Sequence, residues 1–122
     1  MLVRRTQIQT LAFNDGSLDI LKACDGVIER ATHTNIHYHL DTLGYGTFFK
    51  ALDSGVEVTQ AISIPFISFI KQNDLIELTD FRTGTKEIFK IIKLTKKDTT
   101  PMSWQLALSK GGIEYDDNRW IN

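Results

Sequence analysis

One cysteine, Cys24, in 122 residues leaves this chain no internal disulfide and no thiolate metal cluster. A lone cysteine of this kind reads as a small packed hydrophobe rather than a nucleophile. An excess of one charge is missing too. Fourteen basic side chains stand against 15 acidic ones, for a net charge of −1, which gives no electrostatic reason to sit on a phosphate backbone or an anionic membrane. A long apolar run is absent: the longest, Ala61 to Ile70, is interrupted by Ser63, Pro65 and Ser68 and is too short to span a bilayer. Met1 to Gln7 has no apolar segment behind its two arginines, so it does not read as a signal peptide. There is no internal repeat, no low-complexity tract and no sustained helical period.

Hydrophobic residues at 42% and charged residues at 24% are ordinary for one globular domain with one core. The prevailing period is two. Val3 to Phe13 reads as a strand ended by the turn signal Asn14-Asp15-Gly16-Ser17. Leu18 to Lys22 follows, closed by Cys24-Asp25-Gly26, and Val27 to Arg30 resumes an extended pattern. Between Thr32 and Asp41 the alternation sets Ile36, Tyr38 and Leu40 on one face and His33, Asn35, His37, His39 and Asp41 on the other. Ile62, Ile64 and Phe66 read as the inward residues of the next strand. Pro65 places that strand at an edge, or near its end.

Further strands are expected at Leu75 to Thr79, Thr85 to Thr95 and Met102 to Ser109, with a turn at Asp80-Phe81-Arg82-Thr83-Gly84. In the last of them Met102, Trp104, Leu106 and Leu108 share a face, and Trp104 belongs to the core. Lys96-Lys97 reads as a basic spot at a hairpin tip. Phe66, Phe69 and Ile70 fall at helical spacing, so one short helix over Pro65 to Gln72 is the most this pattern admits. The expected fold is mainly β: a small antiparallel β-barrel or sandwich with long loops and at most one short helix. The barrel domain covers 1–110, and a flexible C-terminal tail, 111–122, follows the pair Gly111-Gly112.

The sharpest chemical constellation is His33-x-x-x-His37-x-His39. On one regular strand the three imidazoles project from the same face, a spacing that suits zinc or another borderline metal. The plainer reading is a polar, solvated strand face, and no metal or cofactor is expected. Asp74, Glu77, Asp80 and Glu87 are carboxylates on or near adjacent strands, yet turn chemistry accounts for Asp74 and Asp80, and no nucleophile–base pair is legible. The chain is not expected to be an enzyme. Gly44-x-Gly46 lacks the third glycine, lysine and helix of a phosphate loop. Tyr115, Trp120 and Ile121 stand in a polar, glycine-preceded tail with no core to enter, which reads equally as a set of anchors onto a neighbouring subunit or as a frayed terminus.

Five runs carry a further resemblance: Gly44-Tyr45-Gly46-Thr47-Phe48-Phe49-Lys50-Ala51, Ile62-Ser63-Ile64-Pro65, Asn73 to Leu78, Glu87 to Ile92, and Trp104 to Leu108. Together they resemble the head-closure, or head–tail joining, proteins of long-tailed bacteriophages, over most of residues 1–110. The shared features are apolar spacings rather than catalytic letters. Phe89 stands where that family usually has tyrosine, and the middle of the chain is less basic than is usual there.

The resemblance implies a loop-decorated barrel, built into a virion in the host bacterial cytoplasm and arranged as a ring between the portal-bound adaptor and the tail. It would seal the DNA-filled capsid and present a surface to the tail. Its partners would be copies of itself and portal, adaptor and tail proteins, with DNA close by in a channel but no sequence-specific contact and no membrane. The expected contact residues are Tyr45, Phe48 and Phe49, Asp53 and Glu57, whose charge would repel DNA phosphate, and Tyr115 and Trp120. Tail-completion and baseplate proteins share similar barrels and are the nearest alternatives. A small metal-binding β-barrel enzyme using His33, His37 and His39, or a host-encoded adaptor module, are the others.

Overall fold

The two-residue loop Asp25-Gly26 joins the first long hairpin, with both residues at positive φ (52° and 77°). That is the mirror-image turn whose twist matches paired strands, and Asp-Gly is the sequence that adopts it readily. The computed structural model of the chain describes residues 9–10, 12–41, 58–110, 116–117 and 119. They form nine strands: β1 (Gln9–Thr10), β2 (Gly16–Cys24), β3 (Val27–Asp41), β4 (Gln60–Pro65), β5 (Leu75–Asp80), β6 (Lys86–Lys97), β7 (Thr99–Thr100), β8 (Ser103–Ser109) and β9 (Asp116–Asp117).

The main sheet runs β2-β5-β6-β8-β4-β3-β9, and β2 also pairs with β3. Six antiparallel strands therefore return to their start, each with two neighbours. The closure is irregular. β3 meets β4 over only three residue pairs, His39 to Asp41 against Ala61 to Ser63, and the β2–β3 register shifts three times. β9 joins β3 in parallel at Val27 and Ile28, and β1 pairs in parallel with β7 as a separate two-stranded ladder.

Alternation puts Leu18, Ile20, Tyr38, Ile62, Ile64, Ile76, Leu78, Phe89, Ile91, Leu106 and Leu108 in the interior, all buried. A smaller apolar cluster, Leu21, Ile28 and Leu75 with Ala23, Ala31 and Ile88 against it, forms on the opposite face of β2, β3, β5 and β6. This is the mainly β architecture expected, although the ring is less regular than a simple barrel.

Three local expectations are corrected. The segment 66–74 contains no helix: β4 ends at Pro65, which pairs with Ser103, and the chain turns through left-handed Asn73. Phe66 and Met102, expected inward, lie beyond the ends of their strands and are exposed. Cys24, the last residue of β2 before the hairpin turn, is exposed rather than packed.

Candidate functional site

The three histidines do not converge. Between Leu18 and Ile20 of β2 the partner strand runs from Ile36 back to His33, so β3 carries an extra residue there. Asn35 takes it up with φ of 60°, and its amide donates to the Asp19 carboxylate at 2.9 Å. An inserted residue reverses the side-chain parity beyond it. His33, opposite Ile20, therefore falls on the opposite face from His37 and His39, and its ring stacks on Phe69 at 4.0 Å. His37 meets Phe81 edge-on at 5.6 Å. His39 lies between two carboxylates, Asp15 at 3.5 Å and Asp41 at 3.7 Å. The shared face expected for a three-histidine centre is thus broken by one bulge. Among the described residues no three His, Cys, Asp or Glu side chains gather as a metal-binding group.

Around His39 the polar groups hold one another. Asp41 accepts from the Ser63 hydroxyl at 2.5 Å and from the Gln105 amide at 3.3 Å, and Asp15 accepts from the Leu40 amide at 2.7 Å. The Ser63 hydroxyl donates to Asp41 and not to His39, so the serine and the histidine are not coupled as nucleophile and base. The other carboxylates singled out above are dispersed as well. Asp74 accepts from the Lys71 amide and Glu87 pairs with Lys110. Asp80 takes the backbone and guanidinium of Arg82, hydrogen bonds that hold its carboxyl below the usual aspartate range.

Two surfaces stand out instead. The first is aromatic. Phe66 (45% exposed), Phe69 (41%) and Met102 (42%) are joined by the loop after β4 and the entry to β8. They are not loose. The Phe66 ring stacks on Trp104 at 4.7 Å, with the Lys96 ammonium 5.4 Å above it. The Trp104 indole N–H donates to the Ile67 carbonyl at 2.8 Å, the Phe66 amide donates to the Met102 carbonyl at 3.1 Å, and His33 braces Phe69. Phe66 and Phe69 are thus exposed rings each stacked on a neighbouring ring, with Phe66 beside the basic end of β6.

The second surface is the outer side of β2, β5 and β6, where Glu77 is the one charged side chain counted as buried among the described residues. Arg119 grips it with two guanidinium nitrogens, at 3.0 and 2.9 Å, and also bonds Asp117. The Arg119 and Glu77 side chains are only 10% and 11% exposed. Arg119 holds the Asp117 carboxyl below its ordinary range. The two acidic partners, Asp117 first, push the guanidinium well above its own, while burial opposes them. Within the segment 111–122, residues 116–117 pair with β3 and Arg119 bonds Glu77.

The contact residues expected from sequence, Tyr45, Phe48, Phe49, Asp53, Glu57, Tyr115 and Trp120, lie outside the described residues. Sequence reasoning missed Phe66, Phe69 and Met102 as exposed groups, although Pro65 as a strand stop was the available signal. It missed Arg119–Glu77 altogether, because residues 42 apart in sequence carry no local sign of pairing. Comparison with protein-family models, curated proteins and solved structures finds no match.

Proposed function

We propose that the chain is a structural virion protein of a tailed bacteriophage, a head-closure or head–tail connector component. It seals the DNA-filled capsid and provides the tail attachment surface, as one subunit of a ring. The observation that carries this reading is the set of exposed apolar side chains Phe66, Phe69 and Met102, with both phenylalanine rings stacked on neighbours. Aromatic and methionine side chains exposed to water suit binding of a second protein surface. The family resemblance supplies the setting, and a small closed sheet suits subunits that contact neighbours through different faces.

The test is assembly. Particles made without this protein should package DNA and then lose it, and adding purified protein to freshly filled heads should restore retention. The double variant Phe66→Ser, Phe69→Ser should fold yet fail to restore it. Normal genome retention in particles lacking the protein would sink the reading.

A further inference from the structure

β2 follows one side of β3 from Val27 to Tyr38. The other side is paired only at its two ends, with β9 at Val27 and Ile28 and with β4 from His39 to Asp41. Among the described residues no strand pairs with it between Glu29 and Tyr38. β4 stops short for a local reason. Continuing its register past Ser63 and His39 would set Pro65 against His37, and proline has no amide to donate. The Phe66 amide then turns away, to the Met102 carbonyl at 3.1 Å. Four consecutive residues of the unpaired stretch, Thr32, His33, Thr34 and Asn35, are exposed. Side chains of a strand alternate between its faces, so this part stands clear of cover on both.

β6 also outruns a neighbour, since β5 pairs with it only as far as Lys90. That overhang carries Lys93, Lys96 and Lys97, and lysine is the residue that keeps a free edge from pairing. The β3 edge has no such guard. Its one acid and one base, Glu29 and Arg30, lie at the β9 end, and Ala31 to Ile36 carries no carboxylate, ammonium or guanidinium group.

Unpaired backbone donors and acceptors along a strand take another extended backbone. Here the length is bounded. Glu29 to His37 is nine residues, about 30 Å of strand, with β9 at one end and β4 at the other. The edge of a second folded sheet would run into both, whereas a single extended segment lies between them. On the inner side it meets half-buried Ile36 and the His33 ring, which stacks on Phe69 at 4.0 Å. Thr32 and Thr34 point the other way. Alternate positions of the segment therefore favour apolar or aromatic side chains, with β-branched or small polar ones between. We propose that β3 is a strand-addition site: its edge from Glu29 to His37 binds an extended, uncharged segment of a partner protein. The edge serves this purpose whether or not the chain belongs to a virion.

The probe is a synthetic peptide of the same length, alternating threonine with valine and phenylalanine, with a lysine added at each end for solubility. Titrated to millimolar concentration into the isotope-labelled full chain, it should shift the amide resonances of Thr32 to Ile36 and slow their exchange with solvent. The same peptide with its backbone amides methylated keeps the side chains but cannot donate to a ladder. It should leave those resonances where they were. No shift at the edge with the first peptide overturns the inference. Equal shifts with both peptides overturn it as well, because they report adhesion to the exposed rings rather than backbone pairing. Broadening of the same resonances with protein concentration alone would assign the edge to a second copy, and that too overturns it.

Discussion

Gly16 opens β2 where the Thr79 carbonyl and the Tyr38 ring close over the backbone, and a Cβ added there would collide with both. The relief is small, because Thr79 is fixed in the β2–β5 ladder and the Tyr38 hydroxyl donates to that same carbonyl at 3.3 Å. Burial, reinforced by the carboxylates of Asp80 and Asp15, raises the Tyr38 phenol above its ordinary value, which agrees with a neutral ring wedged at this corner. Gly16→Ala should therefore cost about 1–3 kcal/mol, the range for overpacking a filled site. A urea titration checks it, and a midpoint equal to the parent's would refute the crowding. The motif Asn14-Asp15-Gly16-Ser17 was legible as a turn signal, but the reason for its glycine was not. Glycine is needed there for room against a strand that arrives sixty residues later, not for a positive φ.

Among the elements, β3 decides most. Strands β2, β4, β5, β6 and β8 were readable from alternation and turn residues, because each buries one face and is bounded by glycine, proline or aspartate. β3 was read as two pieces with constant parity, whereas it is a single strand of fifteen residues with inserted positions. Period-two reasoning cannot see an insertion. The available hint was Asn35, a residue type that tolerates the left-handed region, in the middle of an otherwise β-rich run. The shared face read for His33, His37 and His39 at this strand is lost for that reason. Asn35→Gly should be close to neutral, while Asn35→Val should lose about 1–2 kcal/mol by forcing a branched side chain into the left-handed region. Thermal melts of the two variants distinguish them, and equal stability would show that the bulge relaxes without penalty.

Across the whole molecule, the barrel and its C-terminal segment are joined by charge, and charge responds to acid. Arg119 lowers the Asp117 pKa in the folded state relative to the unfolded chain. Such a group adds stability that is fully present above its unfolded pKa and drains away as pH falls through the lower folded value. The window opens below about pH 4. The parent should lose melting temperature there more steeply than Asp117→Asn, which has no carboxyl to protonate at that position. Parallel pH–melting curves for the two proteins would rule this out. The pairing of Arg119 with Glu77, like the ring order β2-β5-β6-β8-β4-β3, was beyond sequence reading, since both depend on which distant faces meet once the core has formed.

That strand order also imposes a timetable. β4 has β3 on one side and β8 on the other, and β6 likewise waits for β8. On the ribosome, the β2–β3 hairpin has both of its strands early, but the circle has no way to close until Ser103–Ser109 has emerged. Up to that moment β4 and β6 each present an unpaired edge, and the apolar residues Ile62, Ile64, Phe89 and Ile91 lack the strand that completes their enclosure. Folding dominated by such late, long-range pairing is slow relative to hairpin formation. The interval between synthesis of β4 and of β8 is therefore when this chain is most open to mispairing with its own copies.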